Sequence, residues 1–118
     1  EMKLASILHK RDSPEDISEQ EVLDMATING AKALGLEDEI GSVEIGKKAD
    51  LITIDLNKPE MSPVHGKRGL VSNLVYSFSG DVDEVIVNGE LVKEKEGLKG
   101  LNKADLSVLV DKSAKEIR

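Results

Sequence analysis

An Asn-Gly pair between two apolar, mostly β-branched runs constrains this chain more than any other feature. In Asp83-Glu84-Val85-Ile86-Val87-Asn88-Gly89-Glu90-Leu91-Val92 the two central residues can both take positive φ at little cost, which a type I′ hairpin turn demands. The spacing predicts antiparallel strands at about 84–87 and 90–93, and therefore a sheet. Upstream, Ala49-Asp50-Leu51-Ile52-Thr53-Ile54-Asp55 alternates as a strand, with Leu51 and Thr53 on one face and Ile52 and Ile54 on the other. Both faces are partly apolar, which predicts a central place in the sheet. Gly41 and Gly46 bracket Ser42-Val43-Glu44-Ile45, long enough only for a small strand.

The first third reads as helical. Met2, Leu4, Ala5, Ile7 and Leu8 form a short apolar helical segment, which Asp12-Ser13-Pro14 breaks. Ser18 three residues before Glu21 is a capping box, and Val22, Leu23, Ala26, Ala33 and Leu34 continue an apolar stripe that Gly35 stops. The pattern predicts one helix over roughly 19–34. Gly30 inside it costs about 1 kcal/mol relative to Ala, a cost that close contact with another backbone would offset. Residues 56–69, with Pro59, Pro63, Gly66 and Gly69, read as an extended loop, 70–78 as a short turn or strand, and 93–103 as a linker. Asn102 is placed to cap a last amphipathic helix over about 103–117, with Leu106, Leu109, Val110, Ala114 and Ile117 on its apolar face.

Composition narrows the function classes. A length of 118 residues suits one modest core, and with no Trp, one Tyr and one Phe that core must be aliphatic. Sixteen basic against 23 acidic residues give a net charge of -7, which disfavours nucleic acid and anionic membranes as partners. The absence of cysteine excludes disulfides and thiolate metal sites. No apolar run reaches membrane-spanning length and no signal-peptide pattern is present, so the expectation is a soluble cytoplasmic protein.

The candidate chemistry is sparse. His9 and His65 are the only histidines, on unrelated segments, where zinc needs three or four converging ligands. His9 reads as a cation at a helix end and His65 as an exposed loop residue. Asp50, Asp55, Asp81 and Asp83 are the carboxylates left as possible ligands, and Asp50 and Asp55, five positions apart on a strand, point to opposite faces. Gly41-x-x-x-x-Gly46-Lys47 has the outline of a phosphate-binding loop but leads into a strand, with Lys48 where Ser or Thr belongs. Both glycines therefore read as turn residues, and Lys47 and Lys48 as a solvated tip. Thr27 and Asn29, polar in an apolar helix, are expected to bond backbone groups of neighbouring elements. Catalytic, cofactor-binding and metal-ligating residues are all expected to be absent.

Glu21-Val22-Leu23-Asp24-Met25-Ala26-Thr27-Ile28-Asn29-Gly30-Ala31-Lys32-Ala33-Leu34-Gly35, followed by Ile40-Gly41-Ser42-Val43-Glu44-Ile45-Gly46-Lys47-Lys48-Ala49-Asp50-Leu51-Ile52, resembles the end of an amidohydrolase-superfamily protein. It is most similar to the branch of cytosine deaminase, atrazine chlorohydrolase-like enzymes and methylthioadenosine/S-adenosylhomocysteine deaminase. Val71 to Tyr76 before Gly80-Asp81-Val82, the Val85 to Val92 hairpin and the opening Glu1 to Lys10 fit the same resemblance, which covers about residues 1–93.

The resemblance implies an α+β piece. Residues 1–36 would be the last helical segments of a (β/α)₈ barrel absent from this chain, 37–94 the C-terminal half of a composite β-sandwich, and 95–118 a linker with the terminal helix. It implies a parent hydrolase that removes an amino group from a heterocyclic base or nucleoside, with zinc or iron held by residues ahead of Glu1. The partners it implies are the missing barrel and N-terminal sandwich segment, and a small-molecule substrate for the parent. The opening helix has no cap before it and position 1 is not Met, which also fits a piece of a longer polypeptide. The alternatives are a stand-alone, non-catalytic interaction domain, or a parent acting as a chlorohydrolase or another amidohydrolase. Two apolar faces on the strand at 50–55 predict self-association of the isolated chain.

Overall fold

The computed structural model describes residues 1–11, 17–100 and 107–108. They form an α+β arrangement: a helical unit, then an open, unclosed antiparallel sheet.

The helical unit contains α1 (Met2–His9), α2 (Glu19–Met25), α3 (Ile28–Leu34) and α4 (Gly66–Tyr76), with a 3₁₀ turn at Pro59–Met61. At the start of α2 the Glu21 N–H donates to Ser18 Oγ at 3.2 Å, and the Ser18 N–H donates to Glu21 Oε2 at 2.7 Å. This is the predicted capping box, and it satisfies two orphan groups of the helix end. Val22, on the next turn, is 1% exposed and packs with Ile17 and Val75 against partly buried Met2, Val71 and Tyr76. Burying such an aliphatic side chain contributes about 1.5–3 kcal/mol. α2 and α4 thus close on each other with α1 laid across both.

The predicted helix over 19–34 is two helices. Thr27, at φ -127° and ψ -101°, leaves helical conformation between them. Its hydroxyl donates to the Leu23 carbonyl at 2.8 Å, so the polar group closes α2 on itself and does not reach a neighbouring element. Asn29 is exposed. Gly35 stops α3 as predicted, at φ 69°, with Leu36 N–H on Ala31 O and Gly35 N–H on Lys32 O. Gly41 (φ 92°) then lets the following turn lie against α3: a Cβ there would come within 2.7 Å of Ala31 Cβ and 3.0 Å of Ile28 Cα. Around Gly30, by contrast, the one neighbour a Cβ would meet is the Met25 carbonyl, at 3.3 Å.

The sheet runs in sequence order: β1 (Leu51–Thr53), β2 (Glu84–Val87), β3 (Glu90–Glu94) and β4 (Gly97–Leu98). Asn88 (φ 52°) and Gly89 (φ 81°) make the predicted hairpin turn. Pairing of Val87 with Glu90 and Ile86 with Leu91 sets its register, with a shift between Val85 and Ile86. Among the described residues β1 pairs only with β2, as Leu51 with Ile86 and Thr53 with Glu84, and lies at the sheet edge and not at its centre.

Three further expectations are corrected, and a fourth falls outside the described residues. Among the described residues Ser42 to Ile45 has no strand partner and is irregular, bending at Ser42 and turning at Ile45, which is fully exposed. Residues 70–78 are mostly α4, which starts inside the expected loop at Gly66; that loop also holds the 3₁₀ turn, whose Met61 is 0% exposed. The supposed linker begins with the end of β3 and contains β4, through pairing of Lys93 with Leu98 and Glu94 with Gly97. The terminal helix expected at 103–117 lies outside the described residues apart from Ser107 and Val108.

Candidate functional site

The best-built polar cluster joins three helices. Ser6, fully buried on α1, shares a 2.6 Å hydrogen bond with the Tyr76 hydroxyl at the end of α4. Lys10 Nζ donates to the same hydroxyl at 2.8 Å and to Glu19 Oε1 at 3.1 Å. At 5.4 Å from the ring centroid but 2.8 Å from the hydroxyl, the ammonium sits beyond the hydroxyl end of Tyr76, not over its face. Tyr76 and Glu19 hold the Lys10 pKa above its ordinary value. Glu19 is lowered, first by its own backbone N–H and then by Lys10. Every partner in the cluster is satisfied, and the arrangement is a tie between helices: a buried hydroxyl pair and a committed ammonium leave nothing poised to attack a substrate. Local sequence patterns could not reveal it, because Ser6 and Tyr76 are separated by 70 positions.

The residues singled out as possible ligands do not converge. His9 ends α1 and His65 precedes α4, both exposed. Asp50 Oδ1 accepts the Asn88 N–H at 2.6 Å, and Asp55 Oδ1 accepts the Asn57 N–H at 2.9 Å, which lowers the Asp55 pKa. Asp81 pairs with Lys58 at 2.8 Å, and Asp83 lies 3.8 Å from the same ammonium. These four carboxylates are committed to turn backbone or to one lysine. Among the described residues no group of three or more His, Cys, Asp or Glu side chains could hold a metal ion. The donor set of these residues therefore does not fit a catalytic metal.

The Gly41–Gly46 turn is closed by its own side chains. Lys47 Nζ donates to Ser42 Oγ at 2.6 Å and pairs with Glu44 at 3.3 Å, while Ser42 also bonds Glu44. Ser42 and then Lys47 lower the Glu44 pKa. With 12% of its side chain exposed, Lys47 is a strut of this turn and not the solvated tip expected of it. Lys48, half exposed, pairs with Glu39. A further lysine that sequence reasoning passed over, Lys93, donates to the Val82 carbonyl and, at 3.2 Å, to the Asp83 carbonyl, closing the turn before β2.

The described residues also form apolar concavities, two of which adjoin exposed apolar side chains. One, of about 420 Å³, lies between α1 and α2 and is lined by Leu4, Leu8, Val22 and Met25 among others. The second, of about 530 Å³, lies between α3, the glycine turn and β1, with Gly30, Leu34, Val43 and Ile52 on its walls. Their rims carry Leu8 at 61%, Leu34 at 72% and Val43 at 84% exposure, more apolar surface than scattered single residues supply. No described helix is long and apolar enough to cross a membrane.

This combination, a small helical unit feeding an open sheet with no reactive cluster among its described residues, matches a known protein class. The chain belongs to the amidohydrolase family, whose model matches residues 1–92. Within that family it is similar to deaminases. It is 49% identical over 98 residues to a 5-methylthioadenosine/S-adenosylhomocysteine deaminase of Caldanaerobacter subterraneus subsp. tengcongensis, covering 82% of this chain and 22% of that protein. An alignment of 121 residues with a 5′-deoxyadenosine deaminase of Methanobrevibacter smithii is 40% identical and covers 100% of this chain and 27% of the relative.

Solved structures agree. An adenosine deaminase from Xanthomonas campestris with bound zinc superposes with a TM-score of 0.91 at 32% identity, over 100% of this chain and 27% of that one. The atrazine chlorohydrolase of Arthrobacter aurescens TC1, complexed with zinc, gives 0.79 at 26% identity, over 99% and 25%. The chain thus spans about a quarter of the length of the relatives it matches.

Proposed function

We propose that these 118 residues are the C-terminal, structural part of a metal-dependent hydrolase that deaminates an adenosine-type nucleoside and releases ammonia. In this reading α1 to α3 are the last helical segments of a (β/α)₈ barrel, residues 37–94 are the C-terminal half of a composite β-sandwich, and 95–118 are a linker with a terminal amphipathic helix. The ligands of the metal and the acid/base group lie in sequence ahead of Glu1, and no residue of this chain is a catalytic, cofactor-binding or metal-ligating residue.

The observation that carries the reading is a fit over the whole chain, at a TM-score of 0.91, to 27% of a zinc-bound adenosine deaminase. The choice of nucleoside rests on the methylthioadenosine, S-adenosylhomocysteine and deoxyadenosine deaminases among the relatives. The outer edge of β1, unpaired among the described residues and with Ile52 56% exposed, supports self-association of the isolated chain.

The test is an assay of ammonia release from 5′-methylthioadenosine, S-adenosylhomocysteine and 5′-deoxyadenosine, and of chloride release from a chlorinated triazine. It compares the 118-residue chain with the polypeptide that carries this sequence in its source cells. Turnover of the nucleosides by the source polypeptide alone is expected. Turnover by the 118 residues would refute the assignment of the chemistry, and turnover of the triazine alone would replace the substrate class.

A further inference from the structure

We propose that Asn88-Gly89 is a site of spontaneous covalent modification, deamidation to aspartyl and isoaspartyl forms, and that β1 sets its rate through Ala49 and Asp50. The reaction begins when the backbone nitrogen of the following residue loses its proton to solvent and attacks the asparagine Cγ. A bond from Gly89 N to Asn88 Cγ forms, the Cγ–Nδ2 bond breaks, and ammonia leaves, giving a five-membered succinimide. Water then adds to either ring carbonyl and opens the ring, leaving a carboxylate and either a normal or a β-linked backbone. No electrons change hands, and the only co-reactant is water.

The step needs an accessible carboxamide, a following residue without a side chain in the way, and freedom to rotate about the asparagine backbone. The chain has two Asn-Gly pairs, which differ in the third requirement. Asn29-Gly30 lies within α3, an α-helix whose Ala31 is 3% exposed and stands beneath the close approach of Gly41. Rotation there means unpacking that contact.

Asn88-Gly89 is the exposed tip of a two-residue turn. Its two backbone N–H groups are both held by the residues that lead into β1: Asn88 N–H donates to Asp50 Oδ1 at 2.6 Å, and Gly89 N–H to Ala49 O at 3.0 Å. The second bond occupies the attacking nitrogen itself, so ring closure waits for the tip to lift off β1. That opening is local. Ala49 and Asp50 are exposed, β1 is a three-residue edge strand, and exposed edge contacts belong to the low-cost end of native-state opening. The carboxylate formed would stand beside Asp50, and a β-linked backbone would lengthen a turn whose φ values are fixed at both positions. Modification therefore loosens the joint that had delayed it.

Incubating the 118-residue chain at mildly alkaline pH and mapping its peptides by mass spectrometry tests this. The amide-to-acid mass change is expected at Asn88 ahead of Asn29 in native buffer, while in denaturant the two rates converge and that of Asn88 rises. Asp50→Ala should accelerate Asn88 about threefold to tenfold by removing one hydrogen bond from the tip, without changing Asn29. Asp50→Asn, which keeps an acceptor oxygen, should stay near the parent rate. Faster reaction at Asn29 in native buffer would overturn the proposal, as would an Asn88 rate that neither denaturant nor Asp50→Ala changes. If Asp50→Ala unfolds the chain, the comparison of native and denatured parent chain still decides.

Discussion

The helical unit and the sheet hold together by different means. The buried residues among those described, Ser6, Ile17, Val22, Ala31, Met61 and Val75, belong to the helical unit or the segments beside it, and none lies on β1 to β4. The helices are fastened by side chains distant in sequence, through the Ile17, Val22 and Val75 core and the Ser6, Tyr76, Lys10 and Glu19 tie. The sheet is fastened by backbone pairing, a favourable turn and lysine struts, with its faces only partly covered. Turn chemistry can thus specify a sheet without a core of its own, and such a sheet relies on surroundings for the rest of its burial.

The largest expected difference comes from paired truncations. Met61→Ala should cost about 2–5 kcal/mol, since its side chain is fully buried beside α4. Ile86→Ala, in the half-buried β2, should cost about 1 kcal/mol. Denaturant unfolding followed by circular dichroism measures both, and equal costs would erase the contrast.

Gly41→Ala should cost about 1–3 kcal/mol, because the new methyl meets Ala31 and Ile28 at a backbone angle that L-residues avoid. The same measurement checks it, and a neutral result would mean that the turn does not clamp α3 as tightly as its geometry implies.

The smallest effect is at the start of α2. Ser18→Ala should remove about 1 kcal/mol by breaking the capping box. Glu21 is held below the ordinary glutamate pKa by the Ser18 backbone N–H and then its hydroxyl, and Glu19 is lowered as well. Both folded-state values are depressed. Their contribution is therefore present above the unfolded glutamate pKa and is lost as pH falls through the folded values. Unfolding midpoints measured from neutral to acid pH should show this loss in the parent chain and a shallower loss in Ser18→Ala. Equal slopes would remove the capping box from the explanation.

The same division decided what could be read from the sequence. The hairpin, the capping box and the Gly35 stop were legible because their determinants lie within a few residues of one another. α4 was not. Gly66, Gly69, Ser72, Asn73 and the β-branched Val71 and Val75 give it weak intrinsic helicity. It is held by burial of Val75 and by the Asn73 side-chain amide, which donates to the Met61 and Pro63 carbonyls. The break at Thr27 escaped because the apolar stripe continues across it, while the hydroxyl bonds back along α2. The edge position of β1 was hidden because two apolar faces promise burial without saying what supplies it. At the candidate site, the commitments of Asp50 to the hairpin tip and of Lys47 to its own turn could not be read from local sequence.

The proposal is that this chain supports a catalyst without being one. Calorimetric titration of the 118-residue chain with zinc tests it most directly. Weak, non-stoichiometric heats like those of any acidic protein are expected. One tight, stoichiometric site per chain, abolished by substituting His9 or His65, would contradict it.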